Sequence, residues 1–168
     1  MRYTTVLQGE CRVTSDPDAI LTTVLGSCVA VCLHDPKASV GGMNHFLLPG
    51  EGSQNSKDLR YGIHSMELLI NELLKIGASR KRLVARLYGG ASVIKNKANI
   101  GRSNVEFANE FLKNESIPAI EKNVGGGLAR RVKFQASTGR VKLVVVEEAA
   151  PFAQTPKAPK VKPEVTLF

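Results

Sequence analysis

Residues 21–50 read LTTVLGSCVAVCLHDPKASVGGMNHFLLPG, and the class of the fold turns on the centre of this stretch. Small and β-branched apolar residues run on both sides of Asp35-Pro36-Lys37-Ala38. The tetrad is a turn with a mechanism: Asp suits its first position and Pro presets φ at its second. The pattern therefore predicts a hairpin, Ser27 to Leu33 pairing with Gly42 to Leu48. Pairing about Pro36-Lys37 sets Leu33 opposite Val40, Cys32 opposite Gly41 and Cys28 opposite His45. Directly opposed residues carry Cβ atoms about 4.5–5.5 Å apart, close enough for sulfur and imidazole to meet.

Working outward, Val6 to Val13 and Ile20 to Leu25 also alternate as strands. GEGSQNSKD, residues 50–58, is polar and Gly/Ser-rich and reads as a surface loop. The period then changes. Ile63, Met66, Leu69, Ile70, Leu73, Leu74 and Ile76 fall on one stripe, which predicts a helix over 62–76 that stops at Gly77. A strand over 83–88 follows, closed by Gly89-Gly90. A second helix runs from Ser103 to Asn114, with Val105, Phe107, Ala108, Phe111 and Leu112 inward. Ala119 to Val124 reads as a strand, and Arg131 to Ala136 with Val141 to Glu147 as a hairpin turned at Ser137-Thr138-Gly139-Arg140. The expected fold is α/β: mostly antiparallel β-sheet layers with two principal helices, in one domain over residues 1–150. Residues 151–168, PFAQTPKAPKVKPEVTLF, hold half of the chain's 8 prolines and read as an extended Pro/Lys-rich tail.

Three chemistries compete for the cysteines and histidines of the opening stretch. A disulfide between Cys28 and Cys32 is excluded on an extended strand. They stand about 13 Å apart there, whereas bridged Cα atoms lie within about 7 Å. A metal site fares little better, because Cys-x3-Cys with His34 and His45 is no recognisable structural set. The third reading is a nucleophile with its base: Cys28 the thiol, His45 the imidazole that takes its proton. Gly26-Ser27 breaks the strand with small residues and frees backbone N–H groups for a developing oxyanion. Thr22 is placed to orient the imidazole as the third member of a triad. Geometry alone leaves one alternative open, that Cys28 and His45 are core neighbours, as Cys32 and Cys11 read.

Composition narrows the partners. Aromatics are 5% and Trp is absent, so platforms for stacking nucleic-acid bases are few. The net charge of +8 favours an acidic partner surface, but the basic residues are scattered and carry no nucleic-acid module. The longest apolar runs stop well short of the roughly 20 residues of a membrane helix. The N-terminal segment has no uninterrupted apolar core for secretion, so a cytoplasmic protein is expected. Three cysteines are too few, and odd in number, for a disulfide framework.

LGSCVAVCLHDP, GGMNHFLLP, YGIHSMELLINELLKIGA and LYGGASV occur here in one order, over about Val6 to Val146. In this the chain resembles the chemoreceptor glutamine deamidases, the CheD family. The resemblance implies a sandwich related to cysteine-dependent toxin deamidases. It also implies hydrolysis of glutamine side chains on the cytoplasmic signalling helices of chemoreceptors, giving glutamate and ammonia. The family's nucleophile falls on Cys28, its base on His45 and its threonine on Thr22. No metal or organic cofactor is implied; a CheC-type response-regulator phosphatase is an implied partner. Two segments depart from the pattern. Arg102 stands two places before Asn104 rather than one, and Asn123 stands where an acidic residue is common. An adaptor on the same fold, or a thiol hydrolase of other amides and esters, are the competing functions. An adaptor needs no nucleophile–base pair.

Overall fold

Alternating side chains sort the strands into two sheets. The computed structural model describes residues 1–48, 56–92 and 98–146. In chain order the strands and α-helices are β1 (Arg2–Thr5), β2 (Cys11–Thr14), β3 (Ala19–Leu25), β4 (Val29–Asp35), β5 (Val40–Asn44), α1 (Ser56–Lys75), β6 (Val84–Gly89), α2 (Ala98–Asn114), β7 (Ala119–Val124), β8 (Ala129–Gln135) and β9 (Arg140–Val146), with a 3-10 turn over Arg80–Arg82 between α1 and β6. One sheet has the order β1-β3-β8-β9 and the other β2-β5-β4-β6-β7. Only β1–β3 and β6–β7 pair in parallel; the expected mostly antiparallel layers with two helices are what the chain forms.

β4 shows why the layers stack as they do. All of its residues are buried, because both faces are covered. Val29, Val31 and Leu33 meet Met66, Leu69, Ile70 and Leu73 of α1, and Ala108, Phe111 and Leu112 of α2. Ala30 and Cys32, pointing the other way, meet Leu21 and Leu25 of β3 and Val132 and Phe134 of β8. The order is therefore helices, five-stranded sheet, four-stranded sheet. Ile63, Leu74 and Ile76, placed on the helix stripe from sequence, are exposed instead. The stripe that reaches the core is narrower than the apolar pattern.

Several boundaries differ from the expectations. Val6 to Val13 is not one strand: β1 and β2 belong to different sheets, and the chain turns between them. Gly9 makes that turn at φ +90°, and the Glu10 N–H closes it on the Leu7 carbonyl at 2.9 Å. Both helices begin earlier than their apolar stripes, at Ser56 and Ala98. Most of the loop expected over 50–58, and the whole of the tail over 151–168, lie outside the described residues.

The hairpin forms, but its register is shifted by two residues. Leu33 faces Gly42 rather than Val40, and Cys32 faces Met43. The reason is Pro36. A two-residue loop favours turns with φ > 0 at its first position, which the proline ring forbids. The loop instead takes four residues, 36 to 39, with Ser39 at φ +57° and its N–H on the Asp35 carbonyl at 2.9 Å. Asp35 Oδ1 accepts from the N–H groups of Lys37 (3.0 Å) and Ala38 (3.1 Å). A shift of two keeps every side chain on its face, where a shift of one would have reversed them.

Candidate active site

The register carries through to a bridge between Val29 and Phe46. Carried one residue further, this register would set Cys28 opposite Leu47 and put His45 diagonal to it on the same face, where backbones are about 7–8 Å apart. Between the bridge and β4–β5 proper, the buried Asn44 side chain replaces the ladder. Its Oδ1 accepts the Val31 N–H at 2.9 Å. His45 is thus released from β4 and held by the turn after β1. Its N–H donates to the Glu10 carbonyl (3.2 Å), and its carbonyl accepts from Gly9 N–H (2.7 Å).

That same turn decides the protonation of the ring. His45 Nδ1 lies 2.8 Å from Thr23 Oγ1 and 3.1 Å from the Val6 carbonyl. The Thr23 hydroxyl donates its own proton to Val6 O at 2.7 Å. Both groups then offer Nδ1 only lone pairs, so Nδ1 carries the proton and Nε2 is a bare lone pair. Nε2 is buried and has no partner among the described residues. Burial holds the imidazole below the usual histidine range, against the Val6 carbonyl and the Glu10 carboxylate. The ring is thus neutral, with an unengaged lone pair on Nε2.

Cys28 sits at the end of a bend whose carbonyls are all tied. Gly26 O accepts from Ala91 N–H (2.8 Å) and Cys28 O from Gly90 N–H (2.8 Å). Ser27 O accepts from Asn104 Nδ2 (2.9 Å), and Asn104 Oδ1 takes the Leu48 N–H (3.0 Å). Asn104, fully buried on α2, therefore fixes both the segment before Cys28 and the segment after His45. The Cys28 thiol is half-buried, and burial pushes it up to about 11, its own backbone N–H working the other way. At neutral pH the pair rests as thiol and neutral imidazole. The sulfur is not hydrogen-bonded to Nε2; it donates to Gln8 Oε1 at 3.5 Å. Tyr61 of α1 is also within electrostatic reach, since burial and then the Cys28 charge push its phenol up.

Two glycine segments pack next to this bend. Gly89 is at φ +113°, and a Cβ there would lie 2.2 Å from the Cys28 carbonyl oxygen. Gly89→Ala is therefore expected to lower stability by more than about 2 kcal/mol in urea titration. Gly127→Ala, with nothing within 4 Å of its Cβ, is the near-neutral control. An equal effect at both positions would contradict this. Gly125 N–H reaches the Gly89 carbonyl at 2.9 Å. Arg130, buried, holds that second segment through the carbonyls of Asn123 and Gly125 and through Asn123 Oδ1 at 2.8 Å. Asn123, the departure noted in the sequence, thus serves as a neutral partner for Arg130.

Of the sequence-predicted residues, Cys28 and His45 lie on one face, and Gly26 and Ser27 form the bend beside them. Thr22 is not brought to the ring. On β3 it points to the opposite face from Thr23, and its buried hydroxyl has no partner among the described residues. Thr23 stands in its place, because strand alternation lets only one of two adjacent threonines face His45. Val6, Gln8, Thr23 and Asn104 escaped the sequence reading. The paired threonines at 22 and 23 hinted at Thr23, and the Arg102–Asn104 segment of the family pattern drew attention to Asn104.

A thiol on a tied bend and an imidazole of fixed tautomer, carried by one hairpin of an α/β sandwich, make up the candidate site. The model of the family described as CheD chemotactic sensory transduction matches residues 47–144. A protein of Caulobacter vibrioides named "Probable chemoreceptor glutamine deamidase CheD" is 49% identical over 92% of this chain and 84% of its own. Proteins of the same name from Agrobacterium fabrum (54%, covering 82% and 76%) and, as CheD 1, from Ruegeria sp. (46%, covering 98% and 94%) agree. The chain belongs to the CheD family. The solved structure of Neisseria meningitidis protein NMB0706 aligns over 76% of this chain and 63% of its own at 10% identity and a TM-score of 0.47, too low to carry an argument. Among the described residues no helix is long and apolar enough to cross a membrane.

Proposed function

We propose that the chain is a protein-glutamine deamidase acting on the signalling helices of chemoreceptors, with Cys28 as nucleophile and His45 as base. The observation that carries this reading is the His45 ring, whose Nδ1–H is engaged by Val6 and Thr23 and whose Nε2 lone pair is buried with no partner among the described residues. The relatives' names give the substrate class.

His45 Nε2 takes the Cys28 proton as sulfur attacks the side-chain carbonyl of glutamine. The oxyanion meets N–H groups of the Gly26–Cys28 bend, whose carbonyls are already engaged. The tetrahedral intermediate collapses, the C–N bond breaks, and ammonia leaves with the proton from His45. His45 then draws a proton from water, hydroxide attacks the thioester, and glutamate and free thiol are released. No cofactor takes part. The +8 charge suits steering onto glutamate-rich receptor helices, and a CheC-type phosphatase is a second partner.

Mass spectrometry of a receptor cytoplasmic fragment incubated with the chain tests the reading. Each converted glutamine gains the small difference between an amide and a carboxyl group, and a fragment that keeps all its glutamines refutes it. The adjacent threonines give a sharper comparison. Thr23→Val removes an acceptor from Nδ1–H and is expected to lower the rate about tenfold or more. Thr22→Val replaces a hydroxyl that bonds to nothing described, and is expected to act within about twofold of wild type. The reverse order of effects would place Thr22 at the ring.

A further inference from the structure

Gln8 makes a hydrogen bond to Cys28 that the proposed chemistry does not use. It lies at the tip of the turn between β1 and β2, and the backbone of that turn is fixed at nearly every residue. Val6 N–H donates to Thr22 O (2.9 Å), Gly9 N–H to His45 O (2.7 Å) and Leu7 N–H to Glu10 Oε1 (3.0 Å). What remains free to move is the exposed Gln8 side chain. It ends in a carboxamide, the functional group of the proposed substrate, and that carboxamide accepts the thiol proton at 3.5 Å. The contact runs along the carbonyl oxygen. Attack would need the sulfur over the carbonyl carbon, so this is a held amide and not a reacting one. While the thiol is engaged with Gln8, His45 Nε2 has no partner.

We propose that the Gln8 carboxamide occupies the subsite in which the side-chain amide of a substrate glutamine binds. Gln8 is then an intramolecular place-holder that the substrate displaces. This deepens the deamidase reading and rests on it. With Gln8 swung into solvent, the incoming amide takes its position at Cys28, and the freed thiol turns its proton to His45. The subsite is specified as one for an uncharged primary amide on a short methylene stem, reached from the side of the exposed turn. Gln8 is a positioning residue here: it acts through Cys28 and takes no part in bond making.

The test uses wild type, Gln8→Ala and Gln8→Leu. The rate of Cys28 alkylation by iodoacetamide is followed by peptide mass spectrometry, which resolves Cys28 from Cys11 and Cys32. Both variants lose the acceptor and are expected to react about threefold faster, the size of one weak exposed hydrogen bond. An acetylated, amidated glutamine is expected to protect Cys28 at lower concentration in the variants than in wild type. On a receptor fragment their KM is expected to fall with kcat unchanged. Unchanged or slower alkylation overturns the proposal, and so does acceleration in Gln8→Ala alone, which would mean simple shielding. Conversion of Gln8 to Glu in wild type but not in Cys28→Ala also overturns it, since Gln8 would be a substrate. Alkylation and protection are read without the receptor. A receptor left unmodified beside faster, protectable alkylation would sink the deamidase reading alone.

Discussion

Cys28→Ala is expected to leave a folded chain that no longer converts receptor glutamines, its rate lower by at least about a thousandfold. The fold should tolerate the change. The segment is held through the carbonyls of Gly26, Ser27 and Cys28, none of which involves the sulfur. The chemistry should not, because no other thiol stands on this bend: Cys32 is buried in the core and Cys11 lies on β2. Unchanged urea denaturation with lost turnover is the expected pair of results. His45→Ala should lose a comparable factor, since a thiol pushed up to about 11 is scarcely ionised at neutral pH and needs a base. The pH profile carries a further sign. His45 is held below its ordinary 6.5, so activity should fall on acidification with a midpoint under 6.5, as the base is protonated. Retained turnover in Cys28→Ala, or an acid midpoint above 6.5, would remove these residues from their roles.

Asp35→Ala is expected to give a large loss of stability, about 3 kcal/mol, without touching the chemistry. The carboxylate is fully buried. Its oxygens accept from Lys37 and Ala38 in the hairpin loop, from Ser79 N–H at 2.8 Å after α1, and from Arg82 Nε at 2.9 Å. Removing it orphans backbone donors from two separate segments and leaves Arg82 without its ion pair. Burial acts to raise this carboxyl, but Arg82 and the N–H groups of Ser79 and Ala38 outweigh it, and it lies well below its ordinary 3.8. The folded state therefore holds the proton less tightly than the unfolded state. Asp35 stabilises fully above pH 3.8, and its contribution disappears as pH falls through the lower folded value. Urea titrations at neutral pH should show a lower midpoint with unchanged slope for the variant. The gap between variant and wild type should narrow in acid. A neutral-pH difference under about 1 kcal/mol would show that the four-residue loop holds without its carboxylate.

The two predictions separate what was legible from what was not. The turn at Asp35-Pro36 could be read because both residues act on their own neighbours, through a fixed φ and a side chain two residues from the N–H it caps. Its loop length was legible in principle as well, since a proline ring cannot take the φ that a two-residue loop favours. The helix stripes were visible for the same local reason, although Ile63, Leu74 and Ile76 show that a periodic apolar residue need not reach the core. At the site, Cys28 and His45 could be singled out because they share one hairpin, where a shift of two residues leaves the faces unchanged.

By itself, then, the sequence determined the class of fold, the hairpin, and the thiol and imidazole on its face. These follow from period, turn chemistry and strand parity, each set within a few residues. Only the tertiary structure decided that Thr23 and not Thr22 meets the ring, that Val6 fixes the tautomer, that Asn104 ties the bend, and that Gln8 lies on the thiol. Those contacts join the turn after β1, β3, the segment after β5 and α2 across tens of residues and two sheets. They depend on which sheet each strand enters, and that is settled by how the whole core packs.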